Sequence, residues 1–250
     1  YLAEMGQGTR SEIKKLIRSG RVMVDGETVK KPELKIDETT QKVSLDGKQI
    51  GYAKKEYYML HKPAGVISAT KDDRDKTVLD LITDKKRNDL FPVGRLDKDT
   101  EGLLILTNDG AMAHRLLSPK FHVEKTYLVQ LNIPVSEEDV IRMKEGVDIG
   151  EKRLTKPAEM KILAEKECLL TITEGKFHQV KRMFHQLGKE VVYLKRVEMA
   201  GIRLGDSLEK GQWRQLTEKE IEKLKEQADG KKEILCSEER KNTGNLSDMG

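Results

Sequence analysis

The sequence is poor in cysteine and has no long apolar run. Its two cysteines, Cys168 and Cys236, lie far apart among 250 residues, without the spacing of a metal site. Cysteine used so sparsely fits a reducing cytoplasm. No apolar stretch approaches the roughly 20 residues of a membrane-spanning helix, and nothing resembles a signal peptide. We therefore expect a cytoplasmic protein with no membrane partner.

The sequence is also poor in aromatic residues, and its charges nearly balance. Phe, Trp and Tyr make up 4% of the chain and charged residues 36%, yet the net charge is only +4. The ordinary explanation of so many charges is a solvated surface. Two segments are nevertheless basic: residues 174–196 carry six bases and two acids, and residues 1–56 carry twelve bases and nine acids. This uneven distribution indicates binding of a polyanion at defined sites.

The beginning of the chain has the pattern of a small separate unit. Residues 9–12, TRSE, form a capping-box pattern, and apolar residues follow at helical spacing. The pairs Asp25-Gly26 and Asp46-Gly47 follow short apolar runs and predict two hairpin turns. We therefore expect a small α+β domain over residues 1–56, a main domain over 57–228, and a polar tail, predicted to be disordered, over 229–250.

In the main domain, predicted strands and helices follow one another irregularly. The predicted strands are residues 57–61, 65–69, 103–107, 125–131, 160–164, 168–174 and 191–198. The predicted helices are residues 78–82, 111–117, 137–145, 177–187 and 218–227. This order favours the α+β class, with a mixed and largely antiparallel sheet, over a doubly wound α/β fold.

One carboxylate, Asp97, lies in a loop between two apolar segments. A single Asp in a loop is most often a turn or cap residue, and this is our interpretation of Asp99 and Asp109, the second as a helix cap. The eleven residues 94–104, GRLDKDTEGLL, closely resemble the catalytic motif of the pseudouridine synthases, enzymes that re-attach a uracil base to its ribose through carbon. The resemblance implies that Asp97 is catalytic and that Arg95 holds the loop or contacts RNA phosphate.

A second segment, residues 174–188 (EGKFHQVKRMFHQLG), places polar and basic residues along one side of a predicted helix. A solvated basic face would produce the same pattern. The two histidines are two turns apart with no further ligand, so we reject a metal site. The segment resembles the third synthase motif, which implies that Lys181 faces Asp97 and keeps it ionised. Arg182 is the second candidate for this role, and the resemblance also places His178, Gln179 and Arg182 at the substrate.

Two further residues are assigned by resemblance. Tyr127 begins a predicted strand, where a tyrosine is usually a core residue. In the synthases this tyrosine stacks on the target base, an interaction worth roughly 1–3 kcal/mol. Among 11 aromatic residues, a second stacking surface is not obvious. Lys62, followed by Pro63, resembles the first synthase motif, so we place it with the substrate-binding residues, supporting the site from below.

Residues 11–26, SEIKKLIRSGRVMVDG, resemble the small RNA-binding domain first seen in a ribosomal protein of the small subunit. The resemblance implies phosphate contacts, which position RNA without reading its bases. The residues concerned are Arg10, Ser11, Lys14, Lys15, Arg18 and Arg21. A small solvated helix would carry the same charges. The basic start that is usual in the family is missing ahead of Tyr1, so we expect the first helix of this domain to be incomplete.

The whole pattern is most similar to the pseudouridine synthases that modify small-subunit ribosomal RNA, often called the RsuA type. The resemblance extends to residues 213–217, and residues 154–158 and 178–183 favour this branch over its large-subunit relatives. It implies a monomer, with neither cofactor nor metal, that converts a uridine of 16S ribosomal RNA, naked or within an assembling small subunit, into pseudouridine. Asp97 would cleave the glycosidic bond by attack at the ribose or by proton removal beside it, and the base would re-attach through carbon 5.

Other functions remain open at this stage. A synthase acting on 23S ribosomal RNA would share the motifs. A non-catalytic RNA-binding factor for ribosome assembly would explain both basic segments but would not require Asp97, Tyr127 and Lys181 together. A carboxylate-dependent hydrolase would need a second acid as partner, for which Glu101 is a weak candidate.

Overall fold

The computed structural model of this chain describes residues 1–229, apart from residues 4, 6, 39, 52–54, 84 and 86. In this part of the chain the strands form two separate sheets, one of four strands within residues 22–50 and one of nine strands within residues 57–215. The domain boundary at residue 56 stays a prediction. The predicted tail lies outside the described residues except for Asp229, whose N–H caps the last helix.

The first sheet follows helix α1, Arg10–Arg18. The helix begins at Thr9, because the Glu12 N–H donates to Thr9 Oγ1 (3.2 Å) and the Thr9 N–H donates to Glu12 Oε2 (2.7 Å). Asp25 and Asp46, each with a φ of 52°, lie in the two predicted turns. The strands are β1 (Val22–Val24), β2 (Glu27–Val29), β3 (Val43–Leu45) and β4 (Lys48–Ile50), in the order β2-β1-β3-β4.

The second sheet and its helices occupy the rest of the described chain. Its strands are β5 (Tyr57–Lys62), β6 (Phe91–Pro92), β7 (Glu101–Thr107), β8 (Lys125–Leu131), β9 (Glu159–Ala164), β10 (Glu167–Ile172), β11 (Val191–Met199), β12 (Ile202–Arg203) and β13 (Trp213–Gln215). The α-helices are α2 (Gly110–Leu117), α3 (Glu137–Glu145), α4 (Gln179–Gln186) and α5 (Glu218–Ala228). Two short 3₁₀ helices span Val78–Leu81 and Pro119–Phe121.

The strand order is β13-β5-β7-β11-β8-β10-β9, with β6 beside β7 and β12 beside β11. Neighbouring strands are antiparallel except β7 and β11, which are parallel. The sheet is therefore mixed and mostly antiparallel, which confirms the predicted α+β class.

Strand β7 is buried on both faces and divides two apolar clusters. Leu104 and Leu106 pack into the cluster that contains Tyr127, whereas Leu103 and Ile105 pack into the cluster on the other face. A strand covered on both sides is a continuous apolar run, which explains the sequence LLIL at residues 103–106. The loop that carries Asp97 therefore leads directly into a rigid central strand.

The parallel pairing of β7 and β11 depends on Gly102. A Cβ atom at this position would lie 2.2 Å from the carbonyl oxygen of Arg196, and its φ is +107°. Only glycine has both the space and the conformation for this approach. The second glycine of residues 94–104 therefore allows β11 to lie against the end of the loop that carries Asp97.

Most predicted elements are found within two residues of their predicted ends, and strand β8 and helix α3 have the predicted bounds. The strand predicted over 65–69 is wrong, since this segment makes only an isolated bridge between Ile67 and Thr77. The helix predicted over 78–82 is a 3₁₀ helix. Cys168 is a buried core residue, as expected, and Cys236 lies outside the described residues.

Candidate active site

A cavity of about 80 Å³ lies between the loop before β7, strand β8 and the beginning of α4. Six of the residues singled out in the sequence line it together: Arg95, Asp97, Tyr127, His178, Gln179 and Lys181. They come from three segments that are far apart in the chain. Residues 94–100 are here called the catalytic loop.

The catalytic loop is fixed by hydrogen bonds on its inner side. The Leu96 N–H donates to Ser68 Oγ (3.1 Å), and Ser68 Oγ donates to the Leu96 carbonyl oxygen (2.9 Å). The Thr100 N–H donates to the Asp97 carbonyl oxygen (3.1 Å) and closes a turn. These contacts hold the Asp97 backbone still while its side chain, 29% exposed, remains accessible from the cavity.

Lys62 lies beneath the catalytic loop and is completely buried. Its Nζ donates to the carbonyl oxygens of Thr100 (2.8 Å), Asp97 (3.0 Å), Pro63 (3.1 Å) and Lys98 (3.3 Å). Burial lowers the pKa of Lys62 to about 8. Nearby carboxylates, of which Asp99 has the largest effect, act in the opposite direction and raise this pKa. The prediction that Lys62 binds substrate is therefore wrong, because its ammonium has no exposed surface. It lies below the site and ties the loop to β5.

The predicted contact between Asp97 and Lys181 is present: Lys181 Nζ lies 3.4 Å from Asp97 Oδ2. The same ammonium lies closer to Asp99, at 2.6 Å from Oδ1 and 2.8 Å from Oδ2. This hydrogen bond from Lys181 is the main reason that the pKa of Asp99 is lowered. Asp99, which the sequence suggested was only a turn residue, therefore shares the cation with Asp97.

His178 contacts the other oxygen of Asp97, with Nε2 3.5 Å from Oδ1. The residue precedes α4 in a left-handed conformation, with a φ of 48°. This backbone geometry explains why the helix begins at Gln179 rather than at the predicted residue 177. The Asp97 carboxylate thus lies between a lysine and a histidine.

Tyr127 forms part of the cavity wall from strand β8, and only 7% of the residue is exposed. Its neighbours in the sheet are Leu170 on β10 and Arg196 on β11. The side chain belongs to the larger apolar cluster, so the sheet fixes the tyrosine before any substrate enters. Arg95 is exposed at the cavity margin.

Two residues predicted to contact substrate, Gln179 and Arg182, already have partners within the protein. Gln179 touches the cavity, but its amide is already used: Nε2 donates to Glu174 Oε1 (3.0 Å), and Oε1 accepts from the Lys176 N–H (2.9 Å). Arg182 donates through Nη1 to Glu151 (3.0 Å) and to the Phe177 carbonyl oxygen (3.1 Å), and through Nη2 to Ile149. Both side chains therefore hold the segment before α4 in place, and Arg182 is not the cation that faces Asp97.

Glu101 follows the catalytic loop, but its carboxylate is bound elsewhere. Its Oε2 accepts hydrogen bonds from Tyr193 Oη (2.8 Å) and is 2.8 Å from Lys210 Nζ. Burial alone would raise the pKa of Glu101, but these two donors outweigh it and lower the pKa. The hydrolase alternative loses its only proposed second acid, because this carboxylate is held by other partners.

The predicted RNA contacts of the first domain lie on or beside α1. Arg10, Ser11, Lys14, Lys15 and Arg18 are exposed. Arg21 is exposed too, but it forms an ion pair with Asp46 at 2.5 Å. Five of these six side chains therefore lie on one helix, where they can reach a polyanion together.

In residues 1–229, apart from the gaps given above, no three His, Cys, Asp or Glu side chains are grouped so that they could hold a metal ion. Among the same residues no helix has the length and apolar character needed to cross a bilayer.

Two known families match parts of this chain. Residues 56–186 match the family described as RNA pseudouridylate synthase, and residues 1–49 match the S4 domain. The chain therefore belongs to the RNA pseudouridylate synthase family and is a pseudouridine synthase, an isomerase.

Similar proteins match almost end to end. The uncharacterized RNA pseudouridine synthase YtzG of Bacillus subtilis (strain 168) is 48% identical, over 90% of this chain and 96% of that protein. The ribosomal small subunit pseudouridine synthase A of Vibrio cholerae is 42% identical, over 88% of this chain and 96% of that protein. A crystal structure of a pseudouridylate synthase is 41% identical, with a TM-score of 0.66, and covers 89% of this chain and 96% of that one.

Proposed function

We propose that this pseudouridine synthase converts a specific uridine of 16S ribosomal RNA, with Asp97 as the residue that acts at the ribose. The observation that carries the assignment of the site is the contact of 3.4 Å between Asp97 and Lys181, at a cavity with Tyr127 in its wall. In this arrangement the aromatic ring of Tyr127 can contact the base of a nucleotide, while the Asp97 carboxylate, paired with Lys181, can act at its sugar.

The proposed reaction begins when the target uridine leaves its stack and enters the cavity, as bases must for chemistry inside a pocket. Tyr127 then lies against the base, and Asp97 acts at the ribose, either by attack on the anomeric carbon or by removal of a neighbouring proton. The bond from nitrogen 1 to the sugar breaks, and the uracil turns. If Asp97 has attacked, the bond from its oxygen to the anomeric carbon breaks as carbon 5 bonds to that carbon; if Asp97 has removed a proton, carbon 5 bonds to the same carbon and that proton returns to the sugar. The proton on carbon 5 is then lost and nitrogen 1 carries a proton instead, so that the product is an isomer of the substrate.

The electrostatics of the cavity support this role for Asp97. Lys181 and His178 lie on the two sides of its carboxylate, at 3.4 Å and 3.5 Å. Lys62 holds the backbone carbonyl of the same residue from below, at 3.0 Å. The carboxylate is thus positioned and paired with positive charge before substrate binds, and preorganised groups of this kind contribute strongly to catalysis.

The choice of 16S ribosomal RNA rests on the relatives and on the first domain. Four-tenths of the residues are shared with proteins named ribosomal small subunit pseudouridine synthase A, including one from Haemophilus influenzae at 42% identity. The exposed bases on α1 supply the phosphate contacts that position a large RNA.

The test is to incubate the purified protein with 16S and with 23S ribosomal RNA, each as naked RNA and within ribosomal particles. Carbodiimide labelling and primer extension then map any pseudouridine. We expect one new stop, in 16S RNA. A stop confined to 23S RNA would overturn the proposed target.

Asp97→Asn tests the assignment of the acid, because it keeps the shape of the side chain and removes its charge. We expect the rate of pseudouridine formation to fall at least about a hundredfold, with unchanged thermal stability. Asp206→Asn, a change of an exposed acid outside the site, is the matched control. A wild-type rate for Asp97→Asn would show that the catalytic acid is another residue.

A further inference from the structure

Phe177 is an exposed aromatic side chain at the margin of the active site. With 75% of its surface exposed, it is the most exposed large apolar residue in the described part of the chain. Its ring stacks on the ring of His178, with centroids 3.8 Å apart and planes inclined by 18°. The sequence had suggested no obvious stacking surface besides Tyr127. This pair is here called the aromatic platform.

The aromatic platform is held in place by its own segment. Arg182 Nη1 donates to the carbonyl oxygen of Phe177 (3.1 Å), and the neighbouring Lys176 N–H donates to Gln179 Oε1 (2.9 Å). His178 has the left-handed backbone that turns the chain into α4. An exposed ring on a backbone fixed in this way is ready to bind a flat partner with little loss of conformational entropy.

The position of the aromatic platform restricts what can reach it. His178 Nε2 lies 3.5 Å from Asp97 Oδ1. The ring of His178 therefore lies between Phe177 and the proposed catalytic carboxylate. The same segment carries Lys176 and Lys181, which line the cavity. The ammonium groups of these lysines are paired with carboxylates, Lys176 with Glu151 at 3.5 Å and Lys181 with Asp99 at 2.6 Å. A partner at this place therefore meets a flat aromatic face, on which a base of single-stranded nucleic acid can stack.

We propose that the Phe177–His178 platform stacks with a nucleobase next to the target uridine in the RNA. This inference rests on the proposed function. When the uridine leaves its stack, a flanking base loses a neighbour, and the exposed face of Phe177 takes the place of that neighbour. The platform would therefore stabilise the opened RNA, while Tyr127 contacts the target base itself.

The first test compares Phe177→Leu, which keeps an apolar side chain but removes the aromatic ring, with the wild-type enzyme. The probe is a short synthetic RNA that spans the uridine mapped in ribosomal RNA. We expect the Kd for this RNA to rise about tenfold, with little change in the single-turnover rate at saturating enzyme. Phe177→Trp should bind at least as tightly as the wild type. Ile141→Ala, which shortens an exposed apolar side chain on α3, is the matched control and should have no effect.

The second test identifies the base that stacks. Two further RNAs carry an abasic nucleotide immediately before or immediately after the target uridine. With one of them, we expect the Kd of the wild-type enzyme to be about tenfold higher than with the intact RNA. The Kd of Phe177→Leu should be the same with this abasic RNA as with the intact RNA. Equal Kd values for wild type and Phe177→Leu on the intact RNA would overturn the proposed stacking. It would also be overturned if, with both abasic RNAs, the abasic nucleotide raised the Kd of Phe177→Leu by the same factor as the Kd of the wild type. Either result would leave the proposed function intact, because the stop in ribosomal RNA tests that function separately.

Discussion

At the scale of single residues, the proposed active site contains one ammonium group shared by two carboxylates. Lys181 lies 2.6 Å from the nearer oxygen of Asp99 and 3.4 Å from that of Asp97. Asp99 is the more exposed acid, with 72% of its side chain accessible, so water and salt screen its contact more strongly. Asp99 is therefore better suited to orient Lys181 than to take part in the reaction.

This arrangement predicts different effects for three substitutions. Lys181→Met should lower the rate of pseudouridine formation about a hundredfold, because it removes the cation that faces Asp97. Lys181→Arg keeps the charge but changes the geometry, and it should recover part of the loss. Asp99→Asn should cost less than about tenfold, a loss of about 1.4 kcal/mol. Single-turnover rates on the mapped RNA measure all three, and a wild-type rate for Lys181→Met would contradict the role of the contact.

Much of the site could be predicted at this scale, but not all of it. Resemblance to a motif over eleven positions singled out Asp97, and resemblance to a second motif singled out Lys181. Spacing on a helix does not show what lies opposite it, so the contacts of Arg182 with Glu151 and Ile149 could not be predicted. The role of Asp99 depends on the direction of a side chain in a loop, which no sequence period encodes.

At the scale of secondary structure, the contact between β7 and β11 joins the two halves of the site. Long elements with caps or clear periods, such as β8 and α3, were predictable. Strands of two or three residues, such as β6 and β12, have no detectable period, and only pairing with a neighbour defines them. The segment 65–69 has the composition of a strand, but its backbone bonds go to the catalytic loop and to residues near Thr77 instead.

Gly102→Ala tests the close approach of the two strands. The added Cβ would meet the Arg196 carbonyl oxygen at 2.2 Å, at a backbone φ of +107°. Strain and overpacking together should cost about 2–5 kcal/mol of unfolding free energy, measured as a lower urea midpoint. Gly110→Ala is the control, because nothing lies within 4 Å of its added Cβ at the start of α2. Equal midpoints for the two variants would contradict the importance of this packing.

At the scale of the whole molecule, the first domain offers positive charge without any of the residues proposed to act in the reaction. Its exposed bases on α1 include Lys14, Lys15 and Arg18, whereas Asp97 and Lys181 belong to the second sheet and its helices. The division of the sequence into a binding unit and a catalytic unit could be predicted from charge and from motifs. The boundary between them at residue 56 stays a prediction.

Replacing Lys14, Lys15 and Arg18 together by Ala should weaken RNA binding without changing the single-turnover rate at saturating enzyme. Each lost phosphate contact should reduce the slope of log affinity against log salt by about one. Lys219 and Lys223 on α5, replaced in the same way, are the control for a general loss of charge. An unchanged salt dependence would show that α1 does not contact phosphates.

The parallel course of β7 and β11 also has a consequence for how this enzyme can vary. Because Lys195 and Arg196 lie beside Glu101 and Gly102, the chain enters the two strands from the same direction, and the segments before them converge at one end of the sheet. The loop of residues 132–135 and the hairpin of residues 165–166 lie in the chain between them, and Val135 of the loop donates to the Glu165 carbonyl oxygen of the hairpin. We therefore expect a change in the length of these two segments to leave the acid beside its cation.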